Sequence, residues 1–148
     1  MKKFLSGRTE SFSVLESEVD GALKHLPAYF SVEKPVNSLQ HIKGRSGEIF
    51  NYKPDFEVTD KKGHKFLIEV KSENSMSLQN MVRFLEIDKM VRQEPNTGFL
   101  ILVWARDTLR ARYGSMDEFR QLNIYHVQNS SEIAPTIENA FSRYFTRR

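Results

Sequence analysis

The chain has 148 residues, a mass of 17.3 kDa and a formal net charge of +3. This length fits one domain, residues 1–148, and no repeat or linker composition indicates a second one. The absence of cysteine excludes disulfides, thiolate zinc sites and cysteine nucleophiles. The slight excess of positive charge is compatible with nucleic-acid binding without requiring it.

No apolar run reaches the roughly 20 residues that a membrane-spanning helix needs. The basic residues Lys2 and Lys3 are not followed by a long apolar segment, which does not fit a signal peptide. We therefore expect a protein that does not contact membranes and that works in the reducing cytoplasm.

A first helix is predicted to begin near Ser11 or Ser13 and to end at Leu26, because apolar residues recur along one stripe. Glu16 lies three residues after Ser13, which is the spacing of a capping box. A carboxylate from this helix could instead be a third acidic ligand of a neighbouring metal site. Glu18 is the competing candidate, but it lies further from the apolar stripe, so we expect Glu16 to be the site residue.

Residues 29–34 are predicted to form a strand, and residues 35–53 a long polar connection. This connection contains basic and glycine residues, Lys43 and Arg45 among them, which could follow a phosphate backbone. The alternative is a flexible hairpin loop without that role.

A β-hairpin is predicted in residues 51–71, NYKPDFEVTDKKGHKFLIEVK, where two strand-like runs flank a turn. Side chains alternate between the two faces of a strand. If Thr59 pairs with Lys65 across a five-residue loop, the apolar side chains share the core face. Asp55 then lies directly opposite Glu69 on the other face.

Two carboxylates that face each other repel unless a cation lies between them, and oxygen ligands with open positions suit Mg²⁺ or Mn²⁺. Lys71 shares the face of Glu69 and could orient a water molecule or stabilise a developing negative charge. These groups suit phosphodiester hydrolysis. An accidental hairpin is the alternative, since acid-x-Lys triplets also arise by chance and Asp60-Lys61-Lys62 is a second one.

An amphipathic helix is predicted from residue 76 or 78 to about residue 94, and residues 99–104 are predicted to form a strand buried on both faces. Strand, helix and strand at this spacing indicate a crossover unit in a covered sheet. Arg83 on the helix could line a nucleic-acid groove or simply lie in solvent.

Three arginines follow this strand, near Tyr113, and could contact backbone phosphates or be solvated residues of a turn. They are Arg106, Arg110 and Arg112. A short helix capped by Ser115, a strand over 124–127 and a closing helix over 133–145 complete the predicted elements.

Four residues together resemble the signature of the PD-(D/E)xK nuclease superfamily. They are Pro54, Asp55, Glu69 and Lys71. The resemblance implies an α/β fold with a restriction-endonuclease-like core, in which a mixed central sheet is flanked by helices. It also implies that Asp55, Glu69 and the Val70 carbonyl bind Mg²⁺ or Mn²⁺. Lys71 would then assist the attacking water, and Glu16 would support a second metal or the water.

Residues 13–19, SVLESEV, and 52–56, YKPDF, are similar to segments of phage endonuclease I, a family of Holliday-junction resolving enzymes. Residues 33–35, EKP, are similar to a segment of TnsA-type transposase endonuclease subunits. We therefore expect a homodimeric DNA endonuclease for branched or four-way junction DNA, in a bacterial or phage-infected cell. The alternatives are a TnsA-like subunit that acts with transposase or recombination partner proteins, and a non-cutting DNA-binding assembly module.

Overall fold

The computed structural model describes residues 15–35, 39–105 and 112–146. It contains helices α1 (residues 15–23), α2 (Leu78–Val91) and α3 (Ile133–Thr146). Its strands are β1 (Ser31–Glu33), β2 (Leu39–Lys43), β3 (Ile49–Tyr52), β4 (Phe56–Thr59), β5 (Lys65–Ser72), β6 (Thr97–Trp104) and β7 (Asn123–Val127). Short 3₁₀ helices lie at Glu73–Ser75, Asp117–Gln121 and Ser130–Glu132.

Five strands form a mixed sheet in the order β1-β4-β5-β6-β7, and β2 pairs with β3 in a separate two-stranded sheet. Strand β4 is antiparallel to β1 and β5, whereas β5, β6 and β7 run parallel. Helix α2 joins the parallel strands β5 and β6, which confirms the predicted crossover unit. The fold is therefore α/β, with a mixed central sheet and flanking helices, as expected. Within the described residues, no helix combines the length and apolar character that a membrane crossing requires.

Both faces of the two central strands, β5 and β6, are covered. On one face, Ile68 packs with apolar residues of α1 and α3, including Val19 and Ile137. On the other face, Ile101 packs with α2 residues such as Leu85. Successive residues of β6 thus enter opposite hydrophobic clusters, which explains the uninterrupted apolar run that predicted this strand.

The register of β4 and β5 pairs Thr59 with Lys65 and Phe56 with Ile68, as predicted. The regular pairing ends at Phe56–Ile68, and the next residue, Asp55, donates its N–H to the same Ile68 carbonyl instead of pairing with Glu69. The two carboxylates are nevertheless close enough for the charge of Glu69 to act on Asp55. Because side chains alternate along each strand, a slip of one residue would put these two carboxylates on opposite faces.

The turn between β4 and β5 holds this register in place. The Asp60 Oδ1 atom accepts hydrogen bonds from the backbone N–H groups of Lys62 and His64, each at 2.9 Å. Gly63 adopts a φ of +88°, a left-handed conformation that glycine accepts without steric cost. The Asp60-Lys61-Lys62 triplet is therefore a structured turn, and the loop length determines which residues pair.

Residues 35–53 were expected to form a polar connection, but Leu39–Lys43 and Ile49–Tyr52 within them form β2 and β3. Leu39 and Ile42 of β2 pack with Phe50 and Tyr52 of β3 against the cluster that α2 covers. The register of this pair shifts between Leu39 and Ile42, and His41 has a φ of +57°. Since this irregularity interrupts the two-residue alternation, the apolar residues show no strand pattern in the sequence.

Several predicted element boundaries differ from the structure; the strand predicted over 29–34, for example, covers Ser31–Glu33. The helical residues of α1 end at 23, and residues 24–26 continue in a tighter turn in which the Leu26 N–H donates to the Leu23 carbonyl at 3.1 Å. The 3₁₀ helix that begins at Asp117 is preceded by Met116, without a side-chain cap, so the prediction of a cap at Ser115 was wrong. The proposed capping serine Ser13 lies outside the described residues.

A buried acid on α2 ties this helix to the segment before β7. Asp88 is fully buried, and its Oδ2 atom accepts from the Arg92 Nε at 2.6 Å. The Arg92 guanidinium also donates to the Gln121 carbonyl at 2.9 Å. Burial raises the pKa of Asp88, and the Arg92 charge and hydrogen bond oppose that effect.

We expect Arg92→Met to lower the free energy of unfolding by about 1–3 kcal/mol, because Asp88 would be left buried without its cation. Lys89→Met on the same helix is the control, since Lys89 makes an exposed pair with Glu86 at 3.3 Å. That change should cost no more than about 0.5 kcal/mol. Urea unfolding measures both, and equal losses would contradict a structural role for the Asp88–Arg92 pair.

Candidate active site

Asp55, the residue immediately before β4, is fixed by two hydrogen bonds to β5. Its backbone N–H donates to the Ile68 carbonyl at 3.0 Å, and its Oδ2 atom accepts from the Val70 N–H at 2.8 Å. The preceding residue, Pro54, has no N–H to donate and ends the regular ladder at this point. The carboxylate of Asp55 therefore takes the place of a backbone partner for Val70.

Glu69 is a buried carboxylate with a different donor on each oxygen. Only 6% of its surface is exposed. Its Oε1 atom accepts from the Tyr52 hydroxyl at 2.6 Å, and its Oε2 atom lies 3.1 Å from the Lys71 Nζ. Lys71 is two residues further along β5, so strand alternation places its ammonium group on the same face.

Glu16 reaches this site from α1. Val19 and Leu23 anchor the helix in the hydrophobic cluster against the sheet. The Glu16 side chain is close enough to Asp55 to contribute a hydrogen bond and a repulsive charge to that carboxyl group. Glu18, the alternative candidate, is exposed and lines a groove with Trp104. The structure thus brings together Glu16, Asp55, Glu69 and Lys71.

The site carries an excess of negative charge. Burial and the charge of Glu69 raise the pKa of Asp55 to about 7, with a further contribution from Glu16 and an opposing one from the Val70 N–H. Burial also raises the pKa of Glu69, although Lys71 and Tyr52 act in the other direction. Near neutral pH, the site therefore tends to take up either a proton or another positive charge.

Tyr52 is a site residue that sequence reasoning missed. Burial, reinforced by the charge of Glu69, raises the pKa of Tyr52 well above its usual value, so its hydroxyl remains a donor. A tyrosine two residues before Pro54 gives no signal of this contact by itself. The contact exists only because β3 folds against the face of the sheet on which Glu69 lies.

The oxygen atoms available at this site are suitable ligands for a hard divalent cation. Asp55, Glu69 and the Val70 carbonyl offer only oxygen atoms, which Mg²⁺ and Mn²⁺ prefer. Within residues 15–35, 39–105 and 112–146, no three or more His, Asp or Glu side chains are grouped so as to hold a metal. The candidate ligands are thus two carboxylates and one backbone oxygen. Glu16 lies close to one of these carboxylates, that of Asp55.

The basic residues predicted to contact DNA have varied surroundings. Lys43 is exposed on β2. Arg45 forms two hydrogen bonds with the Glu118 carboxylate, at 3.0 and 3.3 Å. The Arg83 guanidinium lies 4.9 Å from the centre of the Phe50 ring.

The three arginines after β6 are only partly covered by the structure. Arg112 is exposed and donates to the Met76 carbonyl at 3.0 Å. This contact ties it to the segment between β5 and α2. Arg106 and Arg110 lie outside the described residues.

A scan against protein-family models finds no match to this chain, and searches of curated proteins and of solved structures find no significant match either.

The proximity of Glu16 to Asp55 has a measurable electrostatic consequence. In the metal-free protein, Glu16→Gln should lower the pKa of Asp55, because it removes a neighbouring negative charge. Glu69→Gln should lower it further, because the charge of Glu69 contributes more. Glu18→Gln is the control and should leave it unchanged. Carboxyl-detected NMR titration measures these values, and equal shifts for the Glu16 and Glu18 variants would contradict the placement of Glu16.

Proposed function

We propose that the protein is a metal-dependent endodeoxyribonuclease that hydrolyses phosphodiester bonds and prefers branched or four-way junction DNA. The observation that carries this proposal is the convergence of Asp55, Glu69 and Lys71 on one face of the β4–β5 pair. The resemblance of these residues to the PD-(D/E)xK signature supports it. The approach of Glu16 to Asp55 supports it further.

Each group has a role in this chemistry. Asp55, Glu69 and the Val70 carbonyl would hold Mg²⁺ or Mn²⁺, which when bound supplies polarisation of the phosphoryl group and a water of lowered pKa. Lys71 orients the attacking water, whose oxygen bonds to phosphorus while the bond to one sugar oxygen breaks. Glu16 accepts a hydrogen bond from that water. The attacking water loses one proton to solvent as its oxygen bonds to phosphorus, and the departing sugar oxygen takes one proton from solvent and leaves as a hydroxyl group.

Recognition of DNA shape is supported by the nature of the basic residues. Lys43, Arg45 and Arg112 are exposed and belong to separate elements or connections. Contacts from such residues go to backbone phosphates, which position DNA without reading its sequence. The Arg45–Glu118 pair is about half exposed on both sides, and such pairs contribute at most about 1 kcal/mol. A phosphate can therefore replace Glu118 as the partner of Arg45 at little cost.

We expect Lys71→Met to reduce DNA nicking roughly 100-fold or more, because it removes the group that positions the water. DNA affinity should stay within a few-fold, since one charge among many contributes little. Lys65→Met is the matched control: Lys65 lies on the same face of β5, and its ammonium group pairs with Glu57 at 3.1 Å. Nicking assays and gel shifts compare the variants. Equal nicking by both would remove Lys71 from the mechanism.

The substrate preference is tested with purified protein and Mg²⁺ or Mn²⁺. A four-way junction, a flap, a nicked duplex and a linear duplex of matched sequence are compared at two salt concentrations. Branched substrates should be cut faster than the linear duplex, and higher salt should slow all four reactions because phosphate contacts weaken. Failure to cut any substrate without added proteins would favour the TnsA-like alternative, and binding without cutting under all conditions would favour the assembly module.

A further inference from the structure

Tyr52 connects the small second sheet to the site in the main sheet. It is the last residue of β3, and its ring packs edge-on against Phe99 of β6, with ring centres 5.6 Å apart and planes at 81°. From this position its hydroxyl donates to the Glu69 Oε1 atom at 2.6 Å. A contact to a buried side chain of another element restricts the tyrosine to this orientation.

The hydroxyl of Tyr52 also restricts Glu69. The terminal torsion of a glutamate is broad, so the plane of its carboxylate is not set by rotamer preference alone. Here Tyr52 holds one oxygen and Lys71 holds the other, at 2.6 and 3.1 Å. Each carboxylate oxygen has two acceptor positions, so each keeps one for a further partner. The two donors thus fix the direction in which the remaining positions point.

The position of β3 is itself supported by contacts with α2 and by its partner strand β2. Phe50, two residues before Tyr52, lies beneath the Arg83 guanidinium of α2 at 4.9 Å. Ile42 of the paired strand β2 is buried in the same cluster as α2. These contacts make β3 part of the packed body of the protein, so that it can place a side chain reproducibly.

We propose that Tyr52 is a positioning residue, which orients Glu69 for cation binding and hydrolysis and gives the β2–β3 sheet a role in the site. This inference rests on the proposed function, since it assigns Glu69 the role of a ligand. It concerns a residue outside the four-residue signature. Groups that orient a metal ligand in this way typically contribute roughly 10- to 100-fold to metal affinity or activity.

The test is the variant Tyr52→Phe, which keeps the ring against Phe99 and removes only the hydroxyl. Calorimetric titration of the metal-free protein with Mn²⁺ should show affinity reduced roughly 10- to 100-fold. In nicking assays, kcat should fall while the KM for DNA stays unchanged. Tyr113→Phe is the matched control, because the Tyr113 hydroxyl donates to the Met76 carbonyl at 2.7 Å and should not alter Mn²⁺ affinity when removed.

The results separate the two proposals. If the wild-type protein binds Mn²⁺ and cuts DNA, and Tyr52→Phe does both equally well, the role of Tyr52 is wrong and the proposed function stands. If Tyr52→Phe and Tyr113→Phe lose thermal stability to a similar degree and neither loses Mn²⁺ affinity, Tyr52 is only structural and the inference falls. If the wild-type protein neither binds Mn²⁺ nor cuts DNA, both proposals fall together.

Discussion

The candidate site depends on the register of one antiparallel strand pair. Pairing Thr59 with Lys65 brings Asp55, the residue before β4, close to Glu69, and a shift of one residue would turn the side chains of one strand to the opposite face. The Asp60 turn and the left-handed Gly63 hold this register at one end. At the other end, the hydrogen bond from the Val70 N–H to Asp55 makes the site residue itself part of the ladder.

The end of the β4–β5 hairpin that carries Asp55 and Glu69 differs from an ordinary strand end in its concentration of charged side chains. The charges of Glu69 and Glu16 raise the pKa of Asp55 there, whereas Lys71 supplies an ammonium group directly to Glu69. Asp60 shows the opposite behaviour at the turn. Although burial acts to raise its pKa, hydrogen bonds from His64 and Lys62 lower it. Hydrogen bonds thus stabilise Asp60 as an anion, whereas the negative charges of Glu69 and Glu16 disfavour the anionic form of Asp55.

The sequence could predict those features of the site that depend on local order. The hairpin register follows from alternating side chains and a short turn, and the side of α1 on which Glu16 lies follows from a helical stripe. Tyr52 could not be found in this way. Its contact with Glu69 joins residues 17 positions apart through a strand of another sheet. The β2 strand that pairs with β3 is irregular at His41, which hides its pattern.

Two lysines of β5 form ion pairs, one at the candidate site and one away from it. Lys65 pairs with Glu57, and Lys71 pairs with Glu69, both at 3.1 Å and on the same face of the sheet. The side chains of the first pair are 38% and 22% exposed, whereas those of the second are 19% and 8% exposed. Water therefore weakens the first pair more than the second.

The second pair lacks that solvation and has additional partners. Tyr52 donates to the same carboxylate, and the charge of this carboxylate acts on the neighbouring Asp55. Because burial strengthens electrostatic interactions, each of these neighbours has a larger effect there than at the position of Lys65. Both lysines, Lys65 and Lys71, thus pair with an acid on the same face of the sheet. The burial of Glu69 and the converging groups from α1, β3 and the start of β4 distinguish the candidate active site.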